Sequence, residues 1–488
     1  MRRRAGHTGR CLRGLAGACL AAVCALAGGG TTMAADLPSR PNIVLLLADD
    51  QGWSGLSVEM APGTPGSRDE IVHTPNLERL AAQGMRFSNA YAPAPVCSPT
   101  RISIQTGKSP AQLHWTKAAP PEEGHRLREP RLIRSIPDEE TTVGELLRQS
   151  GYATAHYGKW HIGGGGPGRH GYDDHDGDTG NDEAHRFTDP NPVDIFGMAD
   201  RAEAFMERNV RAGRPFFIQL SWHALHAPEN ALRATRAKYE TLGGKRADTA
   251  AITEDLDTGV GRVLAAIDRL QLAGDTYVVY LSDNGAGGGG RRGGLSGGKG
   301  SVWEGGIRVP LLVRGPGVAA GSWCHVPVVG YDLAPTFCEW AGLPRAGLPR
   351  GIEGGSLAPL LGREGTGEVQ RPRAELVFHF PHYQHEHRPQ SAIRVGPLKL
   401  VRFYEDDRTL LFDLSRDSGE RDDLSARMPE EARRLRERLD RHLAAIDAQM
   451  PVPDPDFDPT RQPPPPGRGK RGGKNRPDGG DTERTPRP

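Results

Sequence analysis

The sequence is poor in aromatic residues, 6% of 488 positions, and its net charge is only +1. That balance excludes a protein that lives on a polyanion, because affinity for nucleic acid comes from a concentrated basic surface. Beyond the first thirty residues no apolar run approaches the ~20 residues that cross a bilayer, so no stable membrane span is expected. Cysteine is scarce, six in all, and no internal repeat is found. Glycine and proline, 64 and 41 residues, are abundant instead. They predict a loop-rich body, a disordered tail, or both. The length allows one large domain or two to three smaller ones.

The small net charge hides an asymmetry. Residues 1–35 carry five arginines (Arg2, Arg3, Arg4, Arg10, Arg13) and no acid, and residues 451–488 are mildly basic, so the body between them is acidic. Such a body needs a metal or focused cationic side chains to handle an anion. Arg2-Arg3-Arg4, the apolar run Leu15 to Ala27 and the small residues up to Ala34-Ala35 have the layout of a cleavable secretory signal over 1–35. An exported, periplasmic or secreted protein is expected, without a lipid anchor. Cys11, Cys19 and Cys24 leave with the signal. Of the remaining three, Cys324 and Cys338 read equally well as a disulfide or as two buried thiols, and Cys97 is the odd one. From Pro451 the chain runs through Pro463–Pro466 into Gly, Lys and Arg with little to bury, so 451–488 is expected to be disordered.

Asn42–Ala48 is a short apolar run ending in two acids, suited to a buried parallel strand whose carboxyl end opens into a site. Phe216–Ser221, Tyr277–Ser282 and Val309–Val313 are similar. Helical patterns lie between them. Pro75–Gln83 stops at Gly84, Thr142–Ser150 opens with a capping box to Glu145, and Ala199–Arg211 and Ile252–Leu270 have helical spacing. Strands alternating with helices predict a three-layer α/β/α sandwich over 36–368, with the site at the carboxyl ends of the strands. Residues 369–450 change to short strands with turns, then an amphipathic helix at Pro429–Ile446, a smaller antiparallel subdomain.

Asp49-Asp50 follows the first strand and Asp283-Asn284 a later one. Each pair alone reads as a strand-end turn or cap. Together they are two pairs of hard oxygen ligands that can converge on one cation, Ca2+ or alternatively Mg2+.

Cys97-Ser98-Pro99-Thr100-Arg101, with Thr106-Gly107 further on, resembles the signature of the sulfatase family. Six further segments are similar to that family in order and spacing: 40–53, 73–91, 151–163, 221–228, 281–285 and 297–317. The resemblance spans roughly 40–425; one departure is Lys108, where many members have Arg. It implies an alkaline-phosphatase-like fold with a large mixed sheet. It also implies conversion of Cys97 to formylglycine by a formylglycine-generating enzyme of the host, and a Ca2+ held by Asp49, Asp50, Asp283 and Asn284 beside it. A hydrated aldehyde carries two hydroxyls on one carbon, one to attack sulfur and one to expel sulfate, which a thiol cannot offer.

The resemblance further places Arg101 against the formylglycine and the carboxylates, and Lys159 and Lys299 on the sulfate oxygens. It makes His161 the acceptor of the second hydroxyl's proton. His226, chosen over His223 because it precedes Ala-Pro, would bind sulfate or protonate the leaving alcohol. Lys159 and His161, two apart on an extended segment, would face one side. The histidine-rich stretch Phe378–His387 offers His379 and His382 as sugar-binding candidates, or is a solvated loop. His170–Arg186 reads as a loop over the pocket, and Trp53 as pocket wall or packing. An exported sulfatase acting on sulfated carbohydrate or aryl sulfate is therefore expected. A phosphate or phosphonate ester hydrolase on the same fold is the alternative, and a non-catalytic glycan- or anion-binding protein a third reading if Cys97 stays a thiol. A thiol hydrolase lacks a recognisable Cys–His–Asn/Asp arrangement.

Overall fold

The structure is a computed structural model that describes residues 40–460. The signal expected over 1–35 and the tail from 461 onward lie outside the described residues. Of the segment assigned to the tail, 451–460 is described, and Val452–Pro453 pairs antiparallel with Leu127–Arg128.

Eight strands form the main sheet, in the order Ser322–Cys324, Met85–Phe87, Leu311–Arg314, Thr276–Ser282, Asn42–Ala48, Phe216–Ser221, Ala153–Gly158 and Asp174–His175. The four from Thr276–Ser282 to Ala153–Gly158 are mutually parallel and wholly buried. Burial on both faces explains the near-continuous apolar runs Ile43–Ala48 and Tyr277–Leu281; Thr154, His156 and Gln219 are buried polar residues in the other two strands. The run expected at Val309–Val313 is the strand Leu311–Arg314, and it is antiparallel to Thr276–Ser282. Only a glycine-rich loop and the four-residue helix Glu304–Ile307 connect the two. The connection is long enough for either sense, and the chain returns antiparallel without a crossover helix packed on the sheet.

Alternate side chains of Asn42–Ala48 feed opposite layers. Val44, Leu46 and Ala48 join the core under the helices Ile195–Arg211 and Gly244–Arg269. Ile43, Leu45 and Leu47 pack with Ile102, Ile104, Leu147 and Phe337 from the helices Cys97–Thr106, Val143–Gln149 and Leu333–Trp340. This is the three-layer sandwich. The capping box is present, with Thr142 accepting from the Glu145 amide and Glu145 from the Thr142 amide.

A separate antiparallel sheet follows, Leu376–Phe380, Gln390–Val395, Leu398–Phe403 and Thr409–Asp413. One face is covered by Leu435, Leu439 and Leu443 of the helix Pro429–Ala445. The other packs Phe378, Phe380 and Val401 against Tyr91, Val96, Val302 and Ile307. The small sheet thus buttresses the chain just before Cys97 and just after Lys299. Cys324 and Cys338 are free buried thiols, so the disulfide alternative is not realised; burial pushes them up to about 11 and about 12.

Candidate active site

Register builds the site. Ala48 pairs with Ser282 and Leu47 with Ser221, so three parallel strands end at one level. The Asp283 amide donates to Ala48 O at 3.0 Å, fixing the two acidic pairs side by side. Asp50 adopts φ 63, the left-handed region that favours glycine and tolerates Asp. Its amide donates to Asp283 Oδ1 at 3.2 Å and its Oδ1 accepts from Asn284 Nδ2 at 2.7 Å. Gly287 must be glycine for this approach, because a Cβ there would stand 2.7 Å from Asp50 Oδ2.

Cys97 is the first residue of the wholly buried helix Cys97–Thr106, whose amino end favours negative charge. Its Sγ donates to Asp49 Oδ1 at 3.4 Å and lies 3.5 Å from Lys299 Nζ. One ligand atom each from Asp49, Asp50, Asp283 and Cys97 falls within 4.8 Å of the others. One turn along the helix, Arg101 donates to Asp283 Oδ2 from Nε at 3.0 Å and Nη2 at 2.8 Å, and to Lys159 O at 2.6 Å. Lys159 Nζ pairs with Asp49, and Lys299 Nζ with Asp50 at 2.6 Å.

Three carboxylates therefore face three cationic side chains. Burial would raise Asp49, but Lys159 and Arg101 hold it well below the usual carboxylate range. Burial and the neighbouring Asp49 lift Asp283 to about 6. Burial opposes the charge on Lys299, yet Asp50 and its neighbours hold it well above its ordinary value. The Cys97 thiol is pushed up by burial, Asp283 and Asp49.

Asn284 Oδ1 is buried and has no hydrogen-bond partner among the described residues. An orphaned amide oxygen beside three carboxylates is a hard, all-oxygen donor set, and it fits Ca2+ or Mg2+.

The histidines divide by place. His161 sits at φ 60 rather than on an extended segment, so strand alternation does not explain its direction. It nonetheless shares surroundings with Lys159, Arg101, Asp49 and His226, and burial with those cations drives it well below 6.5. The loop expected over the pocket lies against it, with the His161 amide donating to Thr179 O at 2.8 Å. His226 is partly exposed and within electrostatic reach of Asp49, Lys159, Lys299 and Asp50; burial lowers it. His223, passed over in the sequence, is buried at the same site beside Lys159, Asp49 and Arg101, and burial lowers it to about 3. Its preceding position in the same segment was the only signal.

His379 and His382 are not available to a sugar. His379 places Nδ1 on Ser391 Oγ at 2.6 Å and Nε2 on Gln449 O at 2.9 Å. His382 places Nδ1 on Glu129 Oε2 and Nε2 on Thr116 Oγ1, both at 2.7 Å. Both rings are buried and fully bonded. The same loop packs Gln384 against Gly300, next to Lys299. Trp53 is buried under the Arg308 guanidinium, 4.4 Å from its ring centre, and so packs rather than walls the pocket. Lys108 is held by both oxygens of Glu140 at 2.8 and 2.7 Å.

Residues 41–343 match the sulfatase family model, and residues 298–449 match the model for the C-terminal region of N-sulphoglucosamine sulphohydrolase. The chain is 33% identical over 383 residues to pig (Sus scrofa) N-acetylgalactosamine-6-sulfatase, covering 70% of this chain and 69% of that protein. It is 32% identical over 445 residues to human arylsulfatase A, covering 78% and 82%. Among solved structures it is similar to Ps i-CgsB, with TM-score 0.71, 24% identity, and coverage of 86% and 94%. It is also similar to the PsFucS1 sulfatase from Pseudoalteromonas sp., with TM-score 0.65, 19% identity, and coverage of 84% and 91%.

Proposed function

This chain belongs to the sulfatase family and is a sulfuric ester hydrolase, and from that premise we propose that it desulfates sulfated carbohydrates with a formylglycine made from Cys97 and one Ca2+. The observation that carries the reading is the convergence at the start of the cysteine helix of three carboxylates, one orphaned amide oxygen, Cys97 and three cationic side chains. The carbohydrate substrate is supported by the N-acetylgalactosamine-6-sulfatase relative.

Asp49, Asp50, Asp283 and Asn284 would hold the cation, which when bound acidifies a nearby hydroxyl and polarises a sulfate oxygen. The formylglycine, as its hydrate, supplies a two-hydroxyl nucleophile at the position of Cys97. A divalent cation also turns a site of balanced charge into a cationic one, which is how an acidic body accepts an anion.

The remaining work belongs to the side chains. Arg101 locks Asp283 and the Lys159 carbonyl, so the carboxylates keep their orientation. Lys159 and Lys299 stabilise charge growing on the sulfate oxygens. His161, neutral because of burial and Lys159, is fit to accept a proton from the residue at 97. His226, on the open side, gives a proton to the departing alcohol; the bound anion raises its affinity for that proton. His223 backs His226 from the interior. Residues 369–450, through Gln384, contribute the wall that meets the sugar. Export rests on the 1–35 signal, and maturation on a formylglycine-generating enzyme in the host.

The test is sulfate release from sulfated mono- and oligosaccharides by protein from a maturing host. Chelation should abolish release and added Ca2+ restore it. Turnover that survives chelation, or hydrolysis confined to 4-nitrophenyl sulfate, would contradict the proposal.

A further inference from the structure

A second basic feature lies away from this site. A cleft of about 610 Å3 opens between the helix Pro429–Ala445 and the chain entering the small sheet, walled by Arg373, Glu375, Arg434, Arg438, Arg441 and His442. It shares Pro372, Arg373 and Ala445 with an adjoining cleft of about 510 Å3 that reaches Gln112 and Glu353. Both fall within the range of ligand clefts, about 300–1,000 Å3, and the shared wall makes them one elongated groove.

Glu375 is fully engaged, and two of the cleft's four arginines are not. Glu375 takes Arg438 Nε at 3.2 Å and Nη2 at 2.6 Å on one oxygen and His442 Nδ1 at 2.9 Å on the other. Arg434 is forked onto Glu431. Arg373 and Arg441 approach Glu353 and Glu437 only at 3.9 Å, make no hydrogen bond among the described residues, and have side chains 35% and 70% exposed. Two open guanidinium forks therefore face one groove on a body whose net charge is acidic. A guanidinium fork matches the parallel oxygens of an oxyanion.

We propose that this groove binds a stretch of sulfated polysaccharide outside the catalytic centre. Its place fits that use. The strand Leu376–Phe380 leaves the groove at Glu375 and ends at the loop that lays Gln384 on Gly300, a path of about 17 Å for five strand residues. Gln112 likewise lies beyond the far end of the helix that begins at Cys97. A polymer held here raises the concentration of its other sulfate esters at the catalytic site without any new contact there. The purpose of the groove rests on the carbohydrate reading; the binding itself is tested without turnover.

The probe is dextran sulfate, with unsulfated dextran as its control, titrated calorimetrically into the full protein at 0.1 M NaCl. The variant is Arg373→Ala with Arg441→Ala, neither of which acts at the catalytic site. Its affinity for dextran sulfate should fall by about tenfold or more, since both open guanidinium forks are lost. Hydrolysis of 4-nitrophenyl sulfate should be unchanged, which also shows that the variant folds. Arg211→Ala with Arg262→Ala removes equal charge from the helices over the main sheet and should change affinity less than twofold. Unchanged affinity in the groove variant, or an equal loss in the control, would overturn the proposal. Failure of the wild type to hydrolyse sulfate esters would instead strike the catalytic reading and leave the binding result standing.

Discussion

Lys399→Met should destabilise the protein by about 3–5 kcal/mol at pH 8 and by about 1.4 kcal/mol less at pH 5. Lys399 Nζ lies 2.9 Å from Glu304 Oε1 and 2.8 Å from Glu420 Oε1, and all three side chains are buried. Glu304 opens the short helix after the Lys299 loop, and its amide donates to Glu420 Oε2 at 2.7 Å. Lys399 thus ties the small sheet to the catalytic loop. Methionine nearly conserves the volume, so no large cavity opens. What remains is two buried carboxylates without their ammonium, and breaking a buried pair costs about 3–5 kcal/mol. Glu304 keeps Tyr91 Oη at 2.7 Å and Arg308 at 3.6 Å, while Glu420 keeps, among the described residues, only the Glu304 amide.

The escape is protonation, which sets the pH dependence. In the wild type, burial and Glu304 already lift Glu420 to about 7 against the pull of Lys399. Removing Lys399 lifts it further. A carboxyl whose folded value is raised binds its proton more tightly folded than unfolded, so stability falls as pH rises from the unfolded value through the folded one. The wild type loses this contribution only up to about pH 7. The variant goes on losing about 1.4 kcal/mol per unit above that, and the two diverge. Urea unfolding at pH 5, 7 and 8 measures the difference. A deficit under about 1 kcal/mol at pH 8, or one that does not shrink on acidification, would refute the reasoning.

Three further outcomes follow from the site. Asp283→Ala should lose Ca2+ affinity in calorimetry and activity together, and metal binding without activity would contradict the shared role. His226→Ala should slow alkyl and sugar sulfates by about 100-fold or more while sparing 4-nitrophenyl sulfate, whose leaving group needs little protonation; equal losses would remove the general-acid role. His382→Ala should lower stability by about 1–3 kcal/mol, the cost of leaving buried Thr116 without its ring partner and Glu129 without one of its bonds, with KM for substrate unchanged in the folded fraction; a rise in KM without destabilisation would return it to the substrate site.

What the sequence made legible was what local pattern controls. Asn42–Ala48 and Phe216–Ser221 are legible to the residue because strands buried on both faces need mostly apolar runs. The capping box at Thr142 is a purely local hydrogen-bond pattern. Asp49-Asp50 and Asp283-Asn284 could be paired because the acids end strands that prove to be parallel neighbours. The short strands Met85–Phe87 and Ser322–Cys324 have no signal in the sequence, since three residues carry no period. His379 and His382 were misread because their partners, Gln449 and Glu129, are far off in sequence. The direction of Leu311–Arg314 depended on a connection whose length alone does not set its sense.

The most direct measurement of the central claim is the mass of the tryptic peptide Phe87–Arg101 from protein exported by its own host. Conversion of the Cys97 thiol to an aldehyde lowers that mass by about 18 Da. The shifted peptide, in proportion to the specific activity of each preparation, is the predicted result. An unshifted peptide in fully active protein would contradict the account.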